Sequence, residues 1–291
     1  MEPTSGHLQG AISKNFLQLS PQLQQAARYV LENPEDVATY SLRQIAHRSG
    51  LAPPTFSRLA RAVGFHEYEA LRDVCRTELK RNSMTLAQRA HKLQEGSKLN
   101  RGARGTFAAQ HVASSLENIS ELYRKLDPEQ LADVADTLAT AERVVLLGAL
   151  SSRAVLEYLH HMVSLAKPDW IFVNASTPST STLLADITKG TVVLSVSIRP
   201  YIRHTVQFAE LANQYGAEVI SISDDISSPI LEHSTHSFLV PTESPQFFPS
   251  YVAVLTLLEI LTGMLVRRWG EEANKRIDRV EKTSHAIGDY M

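Results

Sequence analysis

The chain has 291 residues, 43% of them hydrophobic and 21% charged, which is enough for one large domain or two ordinary ones, each with its own core. Its single cysteine, Cys75, excludes an internal disulfide framework, and no apolar run reaches the roughly 18 residues that a membrane helix requires. The formal charge of −2 is unevenly spread: the first 105 residues hold 15 Lys+Arg against 9 Asp+Glu and the rest 14 against 22, so a polyanion partner is expected for the first half alone.

The amino-terminal "MEPTSGHLQG" lacks the basic start and apolar run of an export signal, so a cytoplasmic protein is expected. From there to about residue 81 the pattern is helical throughout. In "LSPQLQQAARYVLENPEDVATY", Ser20 is placed to cap and Pro21 to open a helix whose apolar positions are Leu23, Ala26, Ala27, Val30 and Leu31, ending at Asn33-Pro34. Ser41 can cap a second helix that runs to Gly50, and Pro53 and Pro54 open a third, since the first turn leaves N–H groups unpaired anyway. Gly64 stops it. A fourth, "EYEALRDVCRTELKR", carries Cys75 as a small buried hydrophobe. Residues 82–105 are polar, end in a Gly/Arg-rich stretch and read as a linker, which makes 1–81 one domain and 106–291 another.

Beyond 106 the pattern changes. A helix over 107–126 leads to Asp127 and Pro128, the cap and first residue of the next one. Short apolar runs, "RVVLLG", "WIFVN", "TVVLSVS", "AEVISIS" and "HSFLVP", then alternate with helical segments, which indicates a doubly wound parallel sheet covered on both faces. Ligands bind such sheets beyond the carboxyl ends of the strands. Here those ends read Gly148 to Ser152, Asn174 to Thr177, Ser195 to Arg199 and Ser223 to Asp225. Ser151, Ser152, Ser195 and Ser197 could wrap a phosphate beside helix amino termini, or could simply be caps. Arg199, Arg203 and His204 follow the third strand, and an arginine can grip phosphate or carboxylate with two bonds. The late apolar stretch "YVAVLTLLEILTGMLV" is either a helical interface between copies or a core helix under the sheet.

Two segments carry a resemblance. "YSLRQIAHRSGLAPPTFSRLARAVGFHEYEALR" resembles the helix-turn-helix domain of the RpiR family of transcriptional regulators, and residues 141–268 resemble the SIS (sugar isomerase) phosphosugar-binding domain that forms the second half of those proteins. Of the SIS pattern G-x-G-x-S, Gly148 and Ser152 match while Leu150 replaces the second glycine; of S-x-S-G-x-T, Ser195 and Ser197 match while Ile198 and Pro200 replace the glycine and threonine. Leu150 and Ile198 occupy room that a phosphate approaching the backbone would need, so either the ligand is a smaller or differently charged metabolite held by Arg199 or Arg203, or the site is vestigial and the domain only dimerises. "DDISSPI" keeps Asp-x-x-Ser-Pro through Asp225, Ser228 and Pro229.

The resemblance implies an all-α helix-turn-helix domain followed by a SIS-like α/β domain, in a regulator that binds double-stranded operator DNA and senses a small phosphorylated or otherwise anionic metabolite. Pro54, Thr55, Ser57 and Arg58 are then expected at base edges, with Arg58 the candidate for guanine, and Arg43, His47 and Arg61 at phosphates. Gly148, Ser151, Ser152, Ser195, Ser197, Arg199, Arg203 and Glu243 are the expected effector residues. A homodimer or homotetramer is expected because one helix-turn-helix reads only a few base pairs. The helix over 107–126 is expected to relay ligand binding between the domains. The competing class is a sugar-phosphate isomerase with Glu243, His233 or His236 as general base; an attached DNA-binding domain favours sensing, so no catalytic residue, metal or cofactor is assigned. His160 and His161, adjacent in a helix, point different ways and make a poor metal pair.

Overall fold

In the computed structural model, which describes Leu8, Ile12 and residues 15–99, 106–173 and 180–289, the first helices begin where the sequence places proline or serine. Helices α1 (Pro21–Glu32), α2 (Pro34–Thr39) and α4 (Pro53–Ala62) all have proline in the first turn. Helix α2 is absent from the sequence reading, which saw in Pro34 the stop of one helix rather than the start of another. Helix α3 (Leu42–Ser49) opens on a capping box, the Ser41 N–H donating to Gln44 Oε1 and the Gln44 N–H to Ser41 Oγ. It ends at Gly50, whose φ of 71° is the left-handed turn that joins it to α4.

These helices and α5 (Tyr68–Ser83) close over one core. Val30, Ile45, Phe56, Leu59 and Leu71 are completely buried in it, and Phe56 meets the Tyr29 and Tyr68 rings edge-on. Burial is worth about 1.5–3 kcal/mol for each large apolar side chain, which is why a unit this small holds together. Cys75 is buried in this core. Part of the expected linker is helical: α6 (Leu86–Leu99) starts where Thr85 and Gln88 cap each other. The chain divides into two compact units, residues 1–102 and 103–291.

The second unit begins with α7 (Thr106–Lys125) and α8 (Pro128–Thr140), the latter capped by Asp127. Then follow β1 (Arg143–Gly148), α9 (Ser151–Ala166), β2 (Ile171–Phe172), α10 (Thr180–Ala185), β3 (Thr191–Ser197), α11 (Arg203–Gln214), β4 (Glu218–Ser223), β5 (His236–Leu239) and the long α12 (Val252–Ile287), which kinks at Gly270. The five strands form one parallel sheet in the order β2-β1-β3-β4-β5. Alternate strand residues feed two cores. Val144, Leu146, Leu194, Val196, Ile220 and Ile222 pack with α8, α9 and α12; Val145, Leu147, Val193 and Val219 pack with α10 and α11.

One face of the stretch 251–266 is a core face: Ala253, Val254, Leu257, Leu258, Leu261 and Leu265 are all buried against the sheet. Among the described residues no helix is long and apolar enough to cross a membrane.

Candidate functional site

The strand order reverses between β1 and β3, so their carboxyl ends open a crevice at the position where sheets of this kind take ligands. On its β1 side, Gly148 is a packing glycine. A Cβ there would lie 2.7 Å from Leu156 and 3.2 Å from the Ser152 carbonyl, so only glycine lets α9 start directly against the strand. Leu150, in the turn between them, has φ 52° and ψ −123° with its side chain 68% exposed. That conformation suits glycine and strains any residue with a Cβ, which is the physical reason for a glycine in the motif at this point. Ser151 is the half-buried first residue of α9, and Ser152 is buried, its Oγ 3.1 Å from the Tyr251 hydroxyl.

Across the crevice, the serines form a ladder rather than an open cradle. Register pairs Ser195 with Ser221 and Ser197 with Ser223, and all four are buried on the face that carries Val193. Ser223 Oγ donates to the Ser197 carbonyl at 2.7 Å, and Ser234 Oγ donates to Ser221 Oγ at 2.7 Å. Ser195 Oγ has no partner among the described residues. The expectation that Ser195 and Ser197 wrap a ligand is thus corrected: as folded, both side chains lie inside the sheet layer. Ile198 is also displaced from its expected part, since it is buried in the core with Val196 and Ile222 and obstructs no approach from solvent. Of the two departures from the glycine pattern, Leu150 alone stands at the surface.

The basic cluster after β3 divides. The Arg199 guanidinium lies 3.5 Å from the Asp225 carboxylate and 3.4 Å from the Tyr201 hydroxyl, which itself donates to Asp224 at 3.0 Å. Arg199 is therefore held by acidic neighbours and is not the free anion grip that was expected. Burial pushes the Asp224 carboxyl above the usual carboxylate range and pushes the Tyr201 and Tyr251 hydroxyls upward too. Arg203 and His204 are exposed at the start of α11, with His204 Nε2 3.2 Å from Thr180 Oγ1. Asp225 makes the turn that its motif suggests, accepting from Ser227 N–H at 2.9 Å just before Pro229 begins a short 3-10 helix. Residues 174–177, the strand-end loop after β2, lie outside the described residues.

Glu243 lies on the loop after β5, and its backbone is clamped by a residue that sequence reasoning passed over. The Asn118 side chain of α7, completely buried, donates to the Glu243 carbonyl at 2.8 Å and accepts from its N–H at 3.2 Å. The same loop ends in Phe248 stacked on Tyr251, and so reaches Ser152. Asn118, Tyr201, Asp224 and Tyr251 belong to no motif, and only the position of Asp224 at a strand end could have drawn attention to it. His160 bonds the Trp170 carbonyl and stacks on Phe172, a structural part.

In the first unit, helix α4 presents Pro54, Ser57, Arg58 and Arg61 along one face while Phe56, Leu59 and Ala60 fill the core. Arg43 and His47 are exposed one turn apart on α3. Thr55 is the exception: at 2% exposure it faces inward, so it cannot touch a base or a phosphate. Arg48 is held by Asp36 at 3.4 Å and lies over the Tyr40 ring.

Residues 137–264 match the SIS domain family. Over 92% of its length the chain is 22% identical to an uncharacterized HTH-type transcriptional regulator of Caldanaerobacter subterraneus subsp. tengcongensis, covering 92% of that protein. It is 21% identical to the HTH-type transcriptional regulator HexR of Pseudomonas aeruginosa, over 94% of this chain and 93% of HexR. Among solved structures, the Vibrio vulnificus NanR protein, complexed with ManNAc-6P, aligns over 97% of this chain and 99% of its own at 19% identity and a TM-score of 0.58. The sugar isomerase domain of an RpiR transcription factor from Sphaerobacter thermophilus aligns over 60% of this chain and 98% of its own, at 20% identity and a TM-score of 0.57.

Proposed function

From a chain that carries a SIS domain at residues 137–264 behind a helix-turn-helix unit, as RpiR-type regulators do, we propose a DNA-binding transcriptional regulator whose operator affinity is set by a small anionic metabolite at the strand ends. The observation that carries the reading is the division of α4 into a core face and a face bearing Pro54, Ser57, Arg58 and Arg61, in a unit with an excess of basic residues. A helix so arranged can enter the major groove, with Arg58 at a base edge and Arg61, Arg43 and His47 at phosphates.

The effector region is the crevice between β1 and β3, with Ser151, Ser152, Tyr251 and the exposed Arg203 as its polar groups. A sugar phosphate is the class the fold suggests, and the exposed Arg203 is the cation assigned to its charge. Sensing, not turnover, is the work assigned to it. Ligand binding can alter DNA affinity only by favouring one state of the protein over another, and the loop clamped by Asn118 links the crevice to α7, the helix that follows the junction of the two units. The junction, residues 82–105 in sequence, is the proposed boundary between DNA-binding and effector domains.

Selection from a random duplex library tests the DNA reading: enrichment of one discrete, two-fold symmetric sequence is expected, and recovery of no consensus overturns it. A thermal-shift screen of sugar phosphates and small carboxylates tests the effector, since a ligand of the native state raises the melting temperature.

A further inference from the structure

The ion pair beyond the end of β3 is a loose one. Among the described residues only Nη2 of the Arg199 guanidinium is within reach of a polar partner, 3.5 Å from Asp225 Oδ2 and 3.4 Å from the Tyr201 hydroxyl. Charge-assisted bonds of full strength run at about 2.7–2.9 Å. The two side chains are 27% and 35% exposed, so solutes can reach the pair, and an ion pair so placed contributes little. Neither partner depends on it for position. Asp225 keeps its turn through the other carboxylate oxygen, Oδ1, which accepts from the Ser227 N–H at 2.9 Å and from Ser227 Oγ at 2.7 Å. The Arg199 backbone is tied to Asp224, whose Oδ1 accepts from the Arg199 N–H at 3.4 Å and from the Tyr201 hydroxyl at 3.0 Å. The guanidinium can therefore change partner while both loops stay where they are.

We propose that Asp225 is an internal competitor of the effector: its carboxylate holds Arg199 until the effector's anionic group displaces it and takes the guanidinium over. The inference rests on the reading of the crevice as the site of an anionic metabolite, and it names what sets the affinity of that site. Carboxylate and phosphate offer a guanidinium the same paired oxygens, but a diffusible phosphate can settle on the planar fork with two parallel bonds, where Asp225 reaches one nitrogen. Arg203, exposed at the start of α11, is a second cation after the same strand. A tethered carboxylate is also always present at high local concentration, so the contact rejects anions that make only one weak bond and admits those that use the whole fork.

The test is the dissociation constant of inorganic phosphate for the full chain, by isothermal titration calorimetry, in the parent, Asp225→Asn, Arg199→Gln and the double variant. Asparagine keeps the oxygen that Ser227 bonds and removes the charge. Asp225→Asn is therefore expected to bind phosphate about fivefold more tightly than the parent, the upper end for loss of one exposed ion pair. A variant that merely loosened the loop would bind more weakly. In the Arg199→Gln background the same substitution is expected to change the affinity by less than about twofold, because its gain acts through that one side chain. A gain that persists without Arg199 is a field effect of the lost charge and overturns the competition, as does an Asp225→Asn affinity equal to or below the parent's. Phosphate binding by none of the four overturns the competition and the anionic reading of the crevice together. Should Asp225→Asn lose the parent's circular dichroism, Asp225→Ser, whose hydroxyl can serve the same turn, takes its place with the same outcomes.

Discussion

Replacing Leu150 by glycine and by alanine gives opposite expectations from those of an ordinary helix or strand position. The residue sits at φ 52° and ψ −123°, where a Cβ costs about 1–3 kcal/mol. Glycine escapes that cost but gives up about 0.5–1 kcal/mol to the freedom of the unfolded chain. Leu150→Gly should therefore be more stable than Leu150→Ala by about 0.5–2 kcal/mol, whereas glycine in a regular element falls below alanine. Comparing the two truncations removes the leucine side chain from the reckoning, and at 68% exposure it has little burial to lose in any case. In a unit of this size each kcal/mol corresponds to about 2–4 °C of melting temperature, so the pair should differ measurably by calorimetry. A glycine variant no more stable than the alanine variant would refute the assignment of strain to this turn. The same replacement bares the backbone at the crevice, and a thermal shift with inorganic phosphate should be larger for Leu150→Gly than for the parent.

Arg58→Ala is expected to cost about 1–3 kcal/mol on a selected operator and to relax base preference, while Arg61→Ala weakens all sequences alike; fluorescence anisotropy on specific and random duplexes separates the two. Asn118→Asp keeps the acceptor for the Glu243 N–H but leaves the Glu243 carbonyl without its donor and buries a charge, at about 2–3 kcal/mol in urea unfolding, with faster amide exchange over residues 240–251. Asp224 has its carboxyl raised by burial, so the native state binds more protons than the unfolded one above the ordinary carboxylate pKa, and parent stability should fall as pH rises through that window. Asp224→Asn retains an oxygen to accept from Tyr201 and has no proton to lose; it should match or exceed the parent's melting temperature at neutral pH and lose that advantage in acid.

Local chemistry was legible wherever it depends on neighbours in sequence. Pro21, Pro53 and Asp127 open helices, Gly50 turns between α3 and α4, and the five apolar runs are the five parallel strands, because caps, turns and periodicity act over a few residues. The basic excess of the first half and the helix-turn-helix spacing are of the same kind. Direction is not local. Thr55 reads like Ser57 in the sequence, yet one is buried and the other reaches the surface, because the turn of α4 about its axis is set by Phe56 and Leu59 in the core. Ser195 and Ser197 read as ligand groups, yet their strand lies in mid-sheet, and alternation carries both beneath α11. Arg199 meets Asp225 across two strand ends, and Asn118 meets Glu243 across 125 residues of chain. Such pairings depend on how elements pack rather than on what stands beside them in the chain. Composition and periodicity could therefore determine the kind of molecule, while the tertiary structure alone decided which hydroxyls and charges remain free to meet a ligand.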